Sequence, residues 1–373
     1  MSSSKKLGCY IHIPFCNTIC SYCDFCKIFY HSKIVDNYLE ELSKEIEASY
    51  NNELLDTLYI GGGTPSSLTE EQLEKLLKLL KDKLNLKEVE EYTIECNFDS
   101  ITNEKLDIMK KYGVNRISFG LESIDENNLK VLDRTIDKKK VQDTIAYCKK
   151  IGIPNINVDL IYAIPGETLD TLKKDLEFVK SLDINHISTY SLILEEHTKL
   201  KLDGLEYIDE DLDAKMYELI CKELSEFDHY EISNFSKSEK FRSKHNLKYW
   251  KNEEYYGYGL GSSGYEGNVR YTKTRSITKY LNSDYIKEDG IEFLNLKDKI
   301  YYEVILNLRT KDGIDLNNFF KKYGKELSAY YDYNSLIREE LLVLENNHLF
   351  IPERLWYISN SVILRLIENE VEV

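Results

Sequence analysis

The chain has 373 residues, of which 65 are acidic and 49 basic, giving a formal net charge of −16, and 42% are hydrophobic. That length allows two or three domains with an ample core, and the acid excess argues against a nucleic-acid surface, which needs clustered Lys and Arg. No apolar run approaches the roughly 18 residues that cross a bilayer. The opening MSSSKK is too short and polar for a secretory signal, and with eight cysteines the expected setting is a reducing cytoplasm.

In chain order, strand-like runs are predicted at Cys9–Pro14, Thr57–Gly61, Tyr92–Cys96, Arg116–Phe119, Asn155–Tyr162 and His186–Leu192. Helical patterns lie between them. Val35, Tyr38, Leu39, Leu42 and Ile46 form one apolar stripe, and Leu73, Leu76, Leu77 and Leu80 another. Ile101–Tyr112, Lys138–Lys150 and Leu169–Leu182 continue the series, with Gly113 and Gly152 as stops. Six β-then-α units in succession predict an α/β fold with parallel strands, an open partial (β/α)6 barrel that is TIM-like but two units short. In such folds the chemistry sits at the C-terminal ends of the strands.

After about residue 205 the pattern changes. Asp209–Phe227 reads as an amphipathic helix, His229–Tyr280 as a loop-rich aromatic stretch, and Asp298–Arg309 as a further helix. The last segment reads as small helices with a short hairpin around Asn346–Ile351. The expected domains are a barrel core over 1–205, a connecting segment over 206–290 and a small, mostly helical C-terminal domain over 291–373.

Cys16, Cys20 and Cys23 stand at C-x3-C-x2-C spacing in YIHIPFCNTICSYCDFC, just past the first strand. Three thiolates on one short loop can hold three irons of a 4Fe–4S cluster and leave the fourth open. Zinc would want four ligands, usually as two separated pairs. Crowded cysteines without a signal segment also make poor disulfide partners. Cys26 is read as a small loop residue outside this set, and Cys96, Cys148 and Cys221 as buried hydrophobes. One strand later, TLYIGGGTPSSL places Gly61, Gly62 and Gly63 between a strand and a helix start, where glycine lets backbone amides approach a ligand closely.

Together these segments resemble the radical S-adenosylmethionine (SAM) superfamily, whose open iron chelates the methionine end of SAM. By that resemblance Gly62, Gly63 and Thr64 hold the SAM amino group. Tyr10, six residues before the first cluster cysteine, and Tyr22, between the second and third, are similar to the aromatics that flank cluster and adenine in the coproporphyrinogen III oxidase-like branch. YTIECNFDS then supplies Glu95 as a SAM-binding carboxylate, although Phe98 stands where the branch carries Pro. VNRISFGLESID supplies Glu122, where the family usually has Gln. VLDRT supplies Arg134 for the SAM carboxylate, and INVDLIYAIPGET supplies Asp159 for the ribose hydroxyls.

HYEISNFSKSEKFRSKHNLKYW resembles the HYEISN…HNxxYW signature of the HemW-type heme chaperones. The resemblance implies a heme contact through His245, Asn246, Tyr249 and Trp250, with His245 as a candidate iron ligand and Arg242, Lys244 and Lys248 near enough to suit propionates. It also implies delivery of heme to a respiratory acceptor protein, with at most peripheral membrane contact through that acceptor, and leaves homodimerisation open. The C-terminal segment is similar to the branch's terminal domain through Arg309, Gly313 and Ile314 and is expected to be winged-helix-like. The competing reading is an oxygen-independent coproporphyrinogen III oxidase, which would use SAM to decarboxylate porphyrinogen propionates. The oxidases resemble a form with a fourth cysteine two residues after the third and a longer N-terminus. Here position 25 is Phe and nine residues precede Tyr10, so oxidase activity is the less favoured expectation, and SAM cleavage is left open.

Overall fold

A computed structural model of the chain describes residues 6–371. Its centre is six parallel strands, β1 (Leu7–Ile13), β2 (Leu55–Gly62), β3 (Glu91–Asn97), β4 (Arg116–Glu122), β5 (Asn155–Tyr162) and β6 (His186–Ser191), hydrogen-bonded in that order. Between them run the helices α1 (Ser32–Ser49), α2 (Glu70–Lys83), α3 (Asn103–Lys111), α4 (Lys138–Lys150) and α5 (Leu169–Ser181). All but α1 are started by a side-chain cap that the sequence encodes. Thr69 and Gln72 cap α2 reciprocally, Thr102 accepts from the Lys105 amide, and Asp137 accepts from the Lys139 and Lys140 amides. Gly113 and Gly152 follow α3 and α4 with φ of +94° and +83°, which glycine adopts without steric cost.

The strands are buried on both faces, as parallel sheets usually are. Leu58 and Ile60 of β2 and Phe119 of β4 pack outward into one core with Leu39, Leu42, Leu73 and Leu76. Burying such side chains contributes roughly 1.5–3 kcal/mol each. The opposite face of the strands lines the barrel lumen and is largely polar. Thr93, Ser118, Asn157, His186 and Ser188 are all buried there.

The sheet does not stop at six strands. On one side β8 (Asn234–Ser236) adds antiparallel to β6, and β7 (Asp228–Glu231) pairs antiparallel with β8 at the edge. On the other, β9 (Tyr255–Tyr258) pairs parallel with β1, and β10 (Ser263–Glu266), β11 (Val269–Lys273) and β12 (Ile286–Phe293) continue antiparallel to a total of twelve strands. The stretch expected to be loop-rich thus also carries five short strands that join the sheet. Its strands are short, and glycines replace side chains in them because neighbours come too close. A Cβ on Gly257 would lie 2.0 Å from the Ser263 carbonyl oxygen.

The Tyr–Gly extension is fastened to α1 by buried polar bonds. Glu45 pairs with Lys273 at 2.8 Å, accepts the Tyr280 hydroxyl at 2.6 Å and accepts the Gly259 amide at 2.9 Å. Tyr38 donates to the His12 carbonyl and accepts from the Leu260 amide. Beyond residue 293, helices surround a three-stranded sheet of Ile314–Asp315, Val343–Glu345 and His348–Phe350, a small winged-helix-like unit. The expected hairpin is present. Its turn is Asn346–Asn347, both with positive φ, as a tight two-residue connection demands. Among the described residues no helix is long and apolar enough to cross a membrane.

Candidate functional site

The cysteine loop leaves the C-terminal end of β1 and is pinned at several points. Phe15–Cys16 pairs with Ile28–Phe29. Ser21 donates through its amide to the Leu132 carbonyl and through its hydroxyl to that of Val131, while its own carbonyl accepts from the Leu200 amide. The His12 ring lies beneath, one nitrogen bonded to the Cys26 carbonyl at 2.7 Å and the other to the Tyr10 hydroxyl at 3.1 Å. Burial lowers the His12 pKa to about 4, so the ring is neutral. Cys16, Cys20 and Cys23 are all free thiols. Burial raises the pKa of each, Cys16 to about 11, and their thiolates would repel one another. Among the described residues no three His, Cys, Asp or Glu side chains are placed to hold a single metal ion, whereas a cubane spreads its cysteine sulfurs more widely. The donor set fits such a cluster: three unpaired thiols on one loop, with the Thr64 hydroxyl 3.6 Å from the Cys16 sulfur and the Arg134 guanidinium 3.9 Å from that of Cys20. Cys26 is buried and turned away, its sulfur 4.0 Å from the Arg275 carbonyl oxygen.

The glycine run threads between this loop and β3. A Cβ on Gly62 (φ +118°) would lie 2.5 Å from the His12 ring, and one on Gly63 would lie 2.7 Å from the Pro14 backbone and 3.0 Å from the Cys16 sulfur. Only glycine permits that approach. Gly62 donates its amide to Glu95 at 2.9 Å, and Tyr59 donates its hydroxyl to the same carboxylate at 2.7 Å. Asp159 accepts from Ser118 at 3.1 Å and Asn157 at 2.8 Å. Burial raises the pKa of both acids, Glu95 to about 7. Among the described residues no Lys, Arg or His lies within ion-pair distance of either, so a cationic, donor-rich ligand would relieve them. SAM, with its sulfonium, ammonium and ribose hydroxyls, has that character.

Glu122 is different, because its charge is already matched. It sits at φ +62° at the end of β4 and accepts from Arg134 at 2.9 and 3.1 Å and from the Tyr22 hydroxyl at 3.1 Å. Burial disfavours the Arg134 charge, yet the Glu122 carboxylate prevails and holds the guanidinium protonated. Tyr10, Tyr22, Gly62, Gly63, Thr64, Glu95, Glu122, Arg134 and Asp159 are thus gathered around the mouth and upper lumen of one barrel.

The HNxxYW segment lies elsewhere. It forms the helix α6 (Lys244–Trp250), set across the strand starts as the floor of the lumen. The Glu91 carboxylate accepts the Lys244 and His245 amides at 3.1 and 3.0 Å. His245 is 1% exposed, with its ring nitrogens bonded to the Thr57 and Tyr249 hydroxyls at 2.8 and 2.6 Å. Its ring stacks on Tyr59, which in turn stacks on Tyr10, and burial lowers its pKa to about 3. Asn246 and Trp250 are half-buried on the same helix. The nearby cations are engaged: Arg242 with Asp228 and Asp312, Lys244 with Glu90, Lys248 with Asp56 and Glu253. A heme contact here would need the His245 ring to give up a buried hydrogen bond. Tyr59 and Glu91 organise the lumen and floor, and no sequence pattern marks them, because their partners Glu95 and Lys244–His245 lie 36 to 154 residues along the chain.

The family model of the radical SAM superfamily matches residues 10–179, and that of the HemN C-terminal domain matches residues 294–357. The heme chaperone HemW of Lactococcus lactis is 37% identical over 98% of this chain and 99% of its own length. That of Bacillus subtilis is 38% identical over 86% of this chain and 88% of its own. The chain belongs to the heme chaperone HemW family of the radical SAM superfamily. Membership in the superfamily implies a 4Fe–4S cluster and SAM as its cofactors. The coproporphyrinogen III oxidase (HemN) from Escherichia coli superposes with a TM-score of 0.83 over 97% of this chain and 90% of that one, at 18% identity, a likeness of fold.

Proposed function

We propose that this chain is a cytoplasmic heme chaperone that binds heme, carries a SAM-chelating 4Fe–4S cluster and hands heme to a respiratory acceptor, meeting the membrane only through that acceptor. The end-to-end relation to heme chaperone HemW proteins supports this reading most strongly. In the proposal Cys16, Cys20 and Cys23 hold the cluster, which when bound supplies an open iron to the methionine end of SAM. The Gly62–Thr64 backbone and the Glu95 carboxylate receive the SAM ammonium. Asp159 accepts from the ribose hydroxyls, while Tyr10 and Tyr22 bound the adenine side. Arg134 faces the SAM carboxylate with its charge already shared with Glu122, which weakens that contact. The HNxxYW helix serves as the barrel floor, tying Tyr59 and hence Glu95 to the segment that carries the signature.

Anaerobic reconstitution followed by hemin titration and a turnover assay with coproporphyrinogen, SAM and a reductant tests the proposal. A heme chaperone binds heme with a defined Soret band and yields no decarboxylated porphyrin. Product formation without heme binding would make the chain an oxidase.

A further inference from the structure

Side chains facing the barrel lumen lie in layers set by strand register. Tyr59 of β2 stands level with Tyr10 of β1 and Thr93 of β3. Glu95, two residues beyond Thr93 on the same face of β3, is one layer higher. Thr57, two residues before Tyr59, is one layer lower, where its hydroxyl holds the His245 ring at 2.8 Å. Tyr59 reaches in both directions. Its ring stacks on the His245 imidazole with centroids 5.2 Å apart, and its hydroxyl donates to Glu95 at 2.7 Å.

Burial raises the Glu95 pKa to about 7, and two donors oppose it, the Gly62 amide at 2.9 Å and the Tyr59 hydroxyl. Among the described residues Tyr59 is the only side-chain donor to this carboxylate. The titratable groups around Glu95 are Tyr10 and the neutral His12 on β1, Tyr59 on β2, Asp159 on β5, Tyr190 on β6 and Tyr249 on α6. None brings a positive charge, and Asp159 opposes ionisation further. A hydrogen bond to the charged form counts most where burial disfavours that charge. The Gly62 amide is fixed by the backbone. The Tyr59 hydroxyl is placed by its ring, which lies between Tyr10 at 6.0 Å and His245 at 5.2 Å.

We propose that Tyr59 is a positioning residue for SAM, holding the Glu95 carboxylate ready for the ammonium, and that the state of the His245 imidazole reaches the SAM site through it. The proposal rests on the SAM-binding, heme-chaperone reading above and adds a regulation to it. A ligand that draws the imidazole off Thr57 and Tyr249 removes the face on which the Tyr59 ring rests. Heme taken up at the HNxxYW helix is such a ligand. Heme and SAM then oppose one another across the barrel, each weakening the other by the same factor.

The test is SAM binding to the anaerobically reconstituted full chain, measured by calorimetry as a function of pH, with circular dichroism to confirm folding. Wild-type affinity should rise as Glu95 ionises and fall as the SAM amine, with an ordinary pKa of about 7.7–8.0, loses its proton. Tyr59→Phe keeps the ring and its stack but removes the donor. It should move the rising limb up by about one pH unit, a roughly fivefold loss near pH 7, and leave the falling limb in place. His245→Gln should move the rising limb the same way by less, and Thr57→Val, which frees one imidazole nitrogen, serves the same end if that variant does not fold. Hemin should weaken SAM binding in the wild type and not in Tyr59→Phe. A rising limb that stays put in Tyr59→Phe would overturn the role of Tyr59. One that stays put in the folded floor variant, or SAM affinity that bound hemin leaves unchanged, would overturn the link to His245. A wild type that binds no hemin would instead overturn the heme-chaperone reading, while the pH limbs still decide the part played by Tyr59.

Discussion

The buried pair of Glu122 and Arg134 gives the most quantitative handle on the SAM pocket. Both side chains are 8% exposed, joined at 2.9 and 3.1 Å, with Tyr22 completing the carboxylate. Glu122→Gln keeps shape and one acceptor but strands the Arg134 charge in the interior. Removing one partner of a buried pair costs about 3–5 kcal/mol, and the retained acceptor argues for about 3. For a chain this long, about 2 °C per kcal/mol gives a fall in Tm of roughly 6 °C. The same change frees the guanidinium for a ligand carboxylate, and recovering half of that cost on binding would tighten SAM about tenfold. Thermal melts with and without SAM, paired with anaerobic calorimetry, read both effects on one sample. The expected pattern is a less stable apo protein that SAM stabilises more than it does the wild type. An unchanged melt, or SAM binding that is unchanged or weaker, would refute the claim that Glu122 withholds Arg134 from the ligand.

Further outcomes follow from single residues. Burial raises the Glu95 pKa to about 7, so the folded state holds that proton more tightly than the unfolded one. The Glu95 contribution to stability is therefore fully present below the ordinary carboxyl pKa near 4.3 and is lost as pH rises through about 7. Denaturant melts should lose that part of the slope in Glu95→Gln. Gly63→Ala pushes a Cβ against Pro14 and the Cys16 sulfur, and iron content after reconstitution should drop while the rest of the fold persists by circular dichroism. Cys26→Ala should retain full iron content, and Cys16→Ala should lose the cluster absorbance. Glu45→Gln leaves Lys273 buried without its counter-charge and should cost about 3–5 kcal/mol in urea unfolding.

Much of the core was legible because its signal is local. The six strand runs and the helix stripes repeat at the periods of their own elements, and the structure places Asn155–Tyr162 and Lys138–Lys150 where the pattern does. The Tyr–Gly extension was not legible. Its strands are three to eight residues long and owe their existence to pairing with partners such as β1, which lies about 250 residues away in sequence. The state of His245 was hidden for the same reason. HNxxYW shows an imidazole beside aromatics, but that the ring is held between Thr57 and Tyr249, on an N-terminus held by Glu91, depends on contacts 188 and 154 residues apart.

The most direct test of the account is heme transfer. Protein carrying both cluster and heme would be mixed anaerobically with membranes from heme-depleted cells, with the heme spectrum followed in each fraction. A heme chaperone predicts that heme leaves the protein and appears in membrane respiratory proteins faster than free hemin partitions there. Heme that stays on the protein, or reaches those proteins no faster than free hemin, would contradict the account.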